Sequence, residues 1–492
     1  MVKRHLPFLI ILCIISLYLL WFKLPFAGTD ELMFKDPALS LIKGEGFSAP
    51  AMAGWYGHKM DIRRGASWYP PFYPFFFAAW FLIFGFSISS SLALSLLICL
   101  TAAYLLCLIW DEFDKGYRWA RLYAYLLIFF CWSVLLKEIS RPDPLLAIIG
   151  LYLVLLLIKK KEPWSLRYKI LLILLISFAL ATSLGMGLLL ISFLFFLFFS
   201  LNQERPRELL KFLALIIIGL TFALLVWFLC AYPNYYQMKA QINSFAEGGS
   251  LLSHPHILPY IISIPLGVSF SAFYAPLLLY LFYFLLKDIV PFGNFQKNIH
   301  LSIRLIGLVL IYSLATIKYP TKYVYLQFFY SFFIATLIFP ILAKIITPKF
   351  NRIILSLCLL IAFFPVFQSR LFIPLTWSEE DTYEYNRKKI LEAIPRGSKV
   401  ISSPAFWYML NDGYTYFDVN SFTPANYILF ASGGSEKPDI PLRNSRFYRP
   451  SELERHFIKQ LSTMSDQPNK LFGLPISRSR WSYRFELYRR IK

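Results

Sequence analysis

Asp30 and Glu31 are adjacent carboxylates standing where the first long apolar run ends, in the string Ala27-Gly-Thr-Asp-Glu-Leu-Met-Phe-Lys-Asp36. A carboxylate at a membrane boundary can take the proton of an incoming hydroxyl, and a neighbour can orient that base or bind a cation. The plainer alternative is a helix start, because acidic residues favour helix N-termini and Thr29 or Asp30 can cap one. A second acidic element, Ser140-Arg141-Pro142-Asp143-Pro144, follows a later apolar run. Ionisable residues at membrane depth are costly and usually mark a pathway or a site, but Arg141 and Asp143 could equally form an interfacial pair beside a proline break. The third feature is a series of cations near aromatics: His58, Lys59, Arg63 and Arg64, then Lys318-Tyr-Pro-Thr-Lys322-Tyr323. Any single lysine there reads as a snorkelling anchor, whereas cations gathered beside carboxylates suit a lipid phosphate.

These residue types fit transfer of a lipid-linked sugar. A polyprenyl phosphate is already a good leaving group, so its departure calls for charge stabilisation by Arg or Lys rather than for a general acid. One carboxylate then remains to activate an acceptor hydroxyl. No cofactor is required. A divalent cation has room among the outer carboxylates with His58, His254 or His256, but these histidines lack ligand spacing, and we assign no metal site.

The elements that must hold these groups are membrane helices. The chain is 58% apolar and 19% aromatic, only 16% charged, with a mean hydropathy of +0.56. Soluble chains sit nearer ~45–50% apolar and ~25% charged, which excludes a soluble enzyme, a disordered chain and a single-span anchor. The net charge of +21 is first a topology signal, because Lys and Arg stay on the cytoplasmic side. It also suits an anionic lipid or substrate; nucleic acid is excluded as a partner, since no basic stretch is long enough to track its backbone. All six cysteines lie inside apolar runs and read as buried hydrophobes.

Apolar runs and basic loops predict an all-α polytopic protein with about 11 full spans plus a re-entrant segment over 69–86, which is interrupted by Pro70, Pro71 and Pro74. The basic loops near Lys115, Lys159–Lys161, Arg205, Lys287 and Lys344 fall on one side if the N-terminus is cytoplasmic. Residues 1–373 then form the membrane domain, with 27–68 a long outer loop. Residues 374–492 form a small C-terminal α/β domain on the outer face, with strands expected at Lys399–Ser403, Tyr414–Val419 and Tyr483–Arg489. Helices are expected after Ser378 and from the capping box at Ser451-Glu-Leu-Glu454.

The order of these motifs resembles the GT-C glycosyltransferases, in particular the dolichyl-phosphate-mannose protein mannosyltransferases (glycosyltransferase family 39) and the lipid A aminoarabinose transferases. The likeness covers roughly residues 1–345 and rests on Asp30-Glu31 after the first span, Tyr69-Pro70-Pro71-Phe72-Tyr73, Phe84-Gly85-Phe86 and Arg141-Pro142-Asp143. The later turn at Lys318–Tyr323 adds to it, and the family's Lys-Gly-x-Gly turn is matched by Ser183-Leu184-Gly185-Met186-Gly187, without the lysine. The resemblance implies a glycosyltransferase of a bacterial inner membrane that uses a polyprenyl-phosphate sugar donor. The acceptor would be a protein, lipid or glycan on the periplasmic face, and the anomeric carbon would be inverted. It further implies Asp30 as catalytic base, Glu31 as its neighbour and Asp143 as a second acid, with Arg141, Lys318 and Lys322 toward the donor phosphate. The competing reading is a transporter or flippase of a lipid-linked or anionic substrate, but the acids gather at one face rather than at mid-membrane.

Overall fold

The computed structural model describes residues 2–24, 29–52, 69–136, 139–159, 165–202, 206–232, 236, 239, 271–289, 299–318, 328–366, 372–418, 425–431, 457–463, 469–471, 474–477 and 482–491. The apolar runs fold as helices because a bilayer offers backbone N–H and C=O groups no partner but one another. They are α1 (Val2–Trp21), α2 (Thr29–Ile42), α3 (Phe72–Phe84), α4 (Ile88–Asp111), α5 (Arg118–Leu135), α6 (Asp143–Lys159) and α7 (Leu166–Thr182). Then come α8 (Leu184–Leu201), α9 (Pro206–Ala231), α10 (Ser271–Ile289), α11 (Ile299–Lys318), α12 (Phe329–Ile346, with one π-helical turn at Ile334–Ile338) and α13 (Lys349–Val366).

Among the described residues, α1, α4, α8, α9 and α12 are long and apolar enough to cross a membrane, which makes the chain an integral membrane protein. α4 and α12 are mostly buried, whereas α1 and α9 turn large apolar side chains such as Leu17, Trp21, Ile217 and Leu229 outward, as lipid-facing helices do. α3 has 13 residues and rises only about 20 Å, less than the ~30 Å hydrocarbon core. It packs against α2.

Two ends of the bundle can be told apart by their pairings. At the start of α1, His5 bonds Tyr125 and Asp111 at 2.9 Å each, and Arg4 pairs with Asp111 and Asp114. Lys159, the last residue of α6, pairs with Glu112 at 3.4 Å. The end of α1, the start of α4 and the start of α6 therefore lie together at the opposite end. Asp30 and Asp143 emerge there. The α7–α8 junction depends on close backbone approach: a Cβ on Gly187 would fall 2.7 Å from the Ala179 carbonyl oxygen, so the last glycine of the Gly-x-Gly turn serves packing.

Of the segment 27–68 expected as an outer loop, residues 29–52 are described, and Thr29–Ile42 of these form the helix α2. Asp30 and Glu31 occupy its first turn, where the helix dipole favours negative charge. The helix continues through Pro37, held by the burial of Leu32, Phe34, Ala38 and Leu39.

The C-terminal region carries α14 (Tyr383–Ala393), β1 (Lys399–Ser402), α15 (Trp407–Leu410), β2 (Thr415–Asp418), β3 (Tyr427–Ala431), β4 (Phe457–Ser462), β5 (Asn469–Leu471), β6 (Leu474–Ser477) and β7 (Phe485–Arg490). The main sheet has the order β2-β1-β3-β7-β4, with β1 parallel to β2 and β3 and with β7 antiparallel to β3 and β4. Ser378 caps a short turn at Glu379–Asp381 that leads into α14; the helix start expected at Ser451–Glu454 lies outside the described residues, and the chain just beyond it, Phe457–Ser462, is the strand β4 and not helix. The sheet domain seats on the membrane domain at the end of α1. The Tyr483 hydroxyl donates to the Lys23 carbonyl at 2.8 Å, Trp377 meets Phe22 edge-on, and Lys23 pairs with Glu384. Lys43, just past α2, reaches the Asn411 side chain at 3.4 Å.

Candidate active site

Consecutive helical residues point about 100° apart, so the acidic pair at the start of α2 divides its work. Asp30 turns toward Arg141, whose Nη1 donates to its Oδ2 at 3.0 Å. The same guanidinium donates through Nε to Asp143 Oδ2 at 2.8 Å, and it lies over the Phe34 ring, 5.5 Å from its centroid. Pro142 and Pro144 flank Asp143 at the first turn of α6, where a missing N–H costs little. The side chain of Asp30 is 33% exposed, that of Asp143 only 2%. Two carboxylates thus share one guanidinium.

Glu31 turns inward and is buried. Its Oε1 accepts from Lys35 Nζ at 2.7 Å, from Ser91 Oγ at 2.9 Å and from the Tyr408 hydroxyl at 2.5 Å. Lys35 spends its remaining donors on Ser91 Oγ (2.9 Å) and Ser95 Oγ (3.3 Å), and its ammonium sits 4.5 Å from the Phe77 ring centroid. Burial by itself would raise the Glu31 carboxyl, but the Lys35 charge and hydrogen bonds from Lys35, Tyr408 and Ser140 hold it below the usual carboxylate range. Burial pulls the Lys35 ammonium down, with Glu31 opposing. Burial, with the nearby Glu31 charge, pushes the Tyr408 phenol well up. The carboxylate of Glu31 is thus a fixed, satisfied anion joining α2, α4 and the sheet domain.

Further along α2, Asp36 is buried and accepts the Ala51 N–H at 2.8 Å. Burial raises its carboxyl from 3.8 to about 7. It clasps α2 to the short turn at Pro50–Met52, which in turn packs against β2.

The structure therefore brings Asp30, Arg141 and Asp143 together through direct bonds and places Glu31 in a separate inward network. His58, Arg63, Arg64, Lys322 and Tyr323 lie outside the described residues, as do His254 and His256; Lys318 closes α11. Among the described residues, no group of three His, Cys, Asp or Glu could hold a metal. Sequence reading did not single out Lys35, Asp36, Ser91, Ser95 or Tyr408. The i, i+4 spacing of Glu31 and Lys35 on one helix face was the available signal for the first. Tyr408 has no local signal, because only docking of the sheet domain brings it to α2.

No protein-family model matches the chain, and no curated protein matches it. Among solved structures, it is similar to ArnT from Cupriavidus metallidurans in the apo state, at 11% identity and TM-score 0.48, covering 99% of this chain and 98% of that one. It is also similar to the Archaeoglobus fulgidus oligosaccharyltransferase in the apo form, at 13% identity and TM-score 0.44, covering 93% of this chain and 69% of that one. A third similarity is to the arabinofuranosyltransferase AftD from Mycobacteria, at 12% identity and TM-score 0.49, covering 98% of this chain but 39% of that one.

Proposed function

We propose that this chain is a GT-C-type glycosyltransferase of a bacterial inner membrane. It moves a sugar from a polyprenyl-phosphate donor to a hydroxyl of a protein, lipid or glycan on the outer face. The observation that carries this reading is the partly exposed Asp30 carboxylate held by an arginine that the buried Asp143 anchors. Arg141 fixes the direction of the Asp30 carboxylate, while a carboxylate with one oxygen engaged retains acceptor capacity on the other. The acceptor hydroxyl gives its proton to Asp30 and its oxygen attacks the anomeric carbon. The bond from that carbon to the phosphate oxygen breaks on the opposite face, and its electron pair leaves with the polyprenyl phosphate. A single displacement of this kind inverts the anomeric centre.

Because Arg141 is already shared between Asp30 and Asp143, the charge that meets the departing phosphate comes from elsewhere: His58, Arg63 and Arg64 before α3, and Lys318 at the end of α11 with Lys322 and Tyr323 beyond it. The chain crosses the membrane about 11 times, with 69–86 re-entrant. The basic residues Lys115, Arg118, Arg121 and Lys159 gather at the end opposite Asp30, which supports a cytoplasmic N-terminus and a periplasmic sheet domain. No metal enters the proposed reaction.

The test is transfer by the purified full chain in lipid nanodiscs, supplied with labelled polyprenyl-phosphate sugars and a membrane extract as acceptor source. Release of polyprenyl phosphate with label moved to an acceptor in the inverted configuration is expected. Movement of intact donor across the bilayer without transfer would contradict the reading and favour a flippase.

A further inference from the structure

The sheet domain is more than an appendage, because one of its side chains ends in the acidic helix. Trp407 and Tyr408, on α15 just beyond the end of β1, both pack against Phe86 ahead of α4, with ring centroids 5.1 and 5.0 Å apart. This wedge directs the Tyr408 hydroxyl onto Glu31, the residue following Asp30. Glu31 Oε1 thereby joins three elements: Lys35 of α2, Ser91 of α4 and Tyr408 of α15. On its other side the same domain holds the chain entering α2 through Tyr483 and the Lys23 carbonyl, and the chain leaving it through Asn411 and Lys43. Glu31 is adjacent to Asp30, so a rotation of the first turn of α2 that breaks the Tyr408 bond also swings Asp30 off Arg141.

We propose that Tyr408 is a positioning residue, through which the docked C-terminal domain fixes the first turn of α2 and hence the aim of the Asp30 carboxylate at Arg141. The inference rests on the transferase reading for its kinetic consequence but not for its structural one. Undocking of the sheet domain leaves Glu31 with Lys35, Ser91 and Ser140 but without its tie to α15, and the base loses its fixed direction.

The experiment uses the full chain in nanodiscs, with Tyr408→Phe to delete only the hydroxyl, Glu31→Gln to weaken the acceptor, the double variant, and Tyr414→Phe as a control whose hydroxyl bonds the Ile394 carbonyl within the sheet domain. Hydrogen exchange of the amides over 30–36 should quicken by about tenfold in Tyr408→Phe, as expected for a lost bond to a charged group. The strands β1, β3 and β7 should stay protected, and Tyr414→Phe should leave α2 unchanged. Glu31→Gln should act alike, and the double variant should add little to either single change. Where the chain transfers sugar, Tyr408→Phe should lower kcat by about tenfold and leave KM for the donor within about twofold, because orientation of the base is lost and not donor binding. Unchanged exchange over 30–36, or fully additive effects of the two substitutions, would overturn the proposal even if wild-type transfer is observed. Absence of transfer in the wild type with quickened exchange in Tyr408→Phe would instead refute the transferase reading and leave the coupling standing.

Discussion

Asp30 and Asp143 accept hydrogen bonds from two edges of one guanidinium, that of Arg141, at 3.0 and 2.8 Å. The two acids differ in access: Asp143 is closed off beneath the arginine, and Asp30 keeps a third of its side chain open. A shared cation thus sorts two like carboxylates into a closed one and a reachable one.

The closed carboxylate can be tested by removal. Asp143→Ala leaves a nearly buried guanidinium with one carboxylate instead of two, and loss of one partner from a buried ion pair typically costs about 3–5 kcal/mol. Thermal unfolding in detergent should show a loss toward the lower end of that range. Arg141→Lys should not substitute for the native residue, because an ammonium is a point charge that cannot span both acids in a fixed plane. A melting temperature unchanged in Asp143→Ala would mean that the pairing carries no weight.

Asp36 gives α2 a pH dependence of definite sign. Burial raises its folded value from 3.8 to about 7, so the folded state holds this proton more tightly than the unfolded one. The stabilisation is complete below 3.8 and lost as pH rises through about 7. Asp36→Asn keeps an acceptor for the Ala51 N–H without titrating. Unfolding curves between about pH 5 and pH 8 should therefore fall less steeply with pH in the variant, and parallel slopes would refute the assignment.

The sheet domain shows the opposite sign. Burial would raise the Asp381 carboxyl, but bonds from Arg484 and Ser378 outweigh it and depress it below 3.8; Arg484 Nε stands 2.6 Å from its Oδ1. Its contribution is present above 3.8 and lost as pH falls through the depressed value. Asp381→Asn should cost roughly 1–2 kcal/mol near neutral pH and flatten the acid limb of unfolding. Tryptophan fluorescence of the domain, followed through acid titration, provides the check.

Gly187→Ala tests the helix junction independently of chemistry. The added methyl would meet the Ala179 carbonyl at 2.7 Å, and backbone cannot move aside as a side chain can. A loss of about 1–3 kcal/mol is expected. Stability equal to the native chain would mean that the glycine is not there for packing.

Sequence carried the helices well because bilayer thickness demands long apolar runs, and those runs appear as α1, α4, α8, α9 and α12. It also carried three strands, at Lys399, Thr415 and Phe485, within two residues of their observed starts. The helix α2 was hidden: apolar and polar residues from Glu31 to Ser40 are all buried, so no one-sided pattern marks the segment, and Pro37 reads as a break. Asp30 and Asp143 stood out because acids are rare at membrane edges, but their common partner depended on helix packing. Tyr408 was beyond reach, since it meets Glu31 across 377 positions only once the sheet has formed and docked.

The most direct measurement is the turnover of Asp30→Asn against the native chain, with labelled polyprenyl-phosphate sugar in nanodiscs and donor binding recorded in parallel. Loss of a general base should lower kcat by about 100-fold or more while donor affinity is retained. Turnover equal to that of the native chain would contradict the role proposed for Asp30, and with it the account of the site.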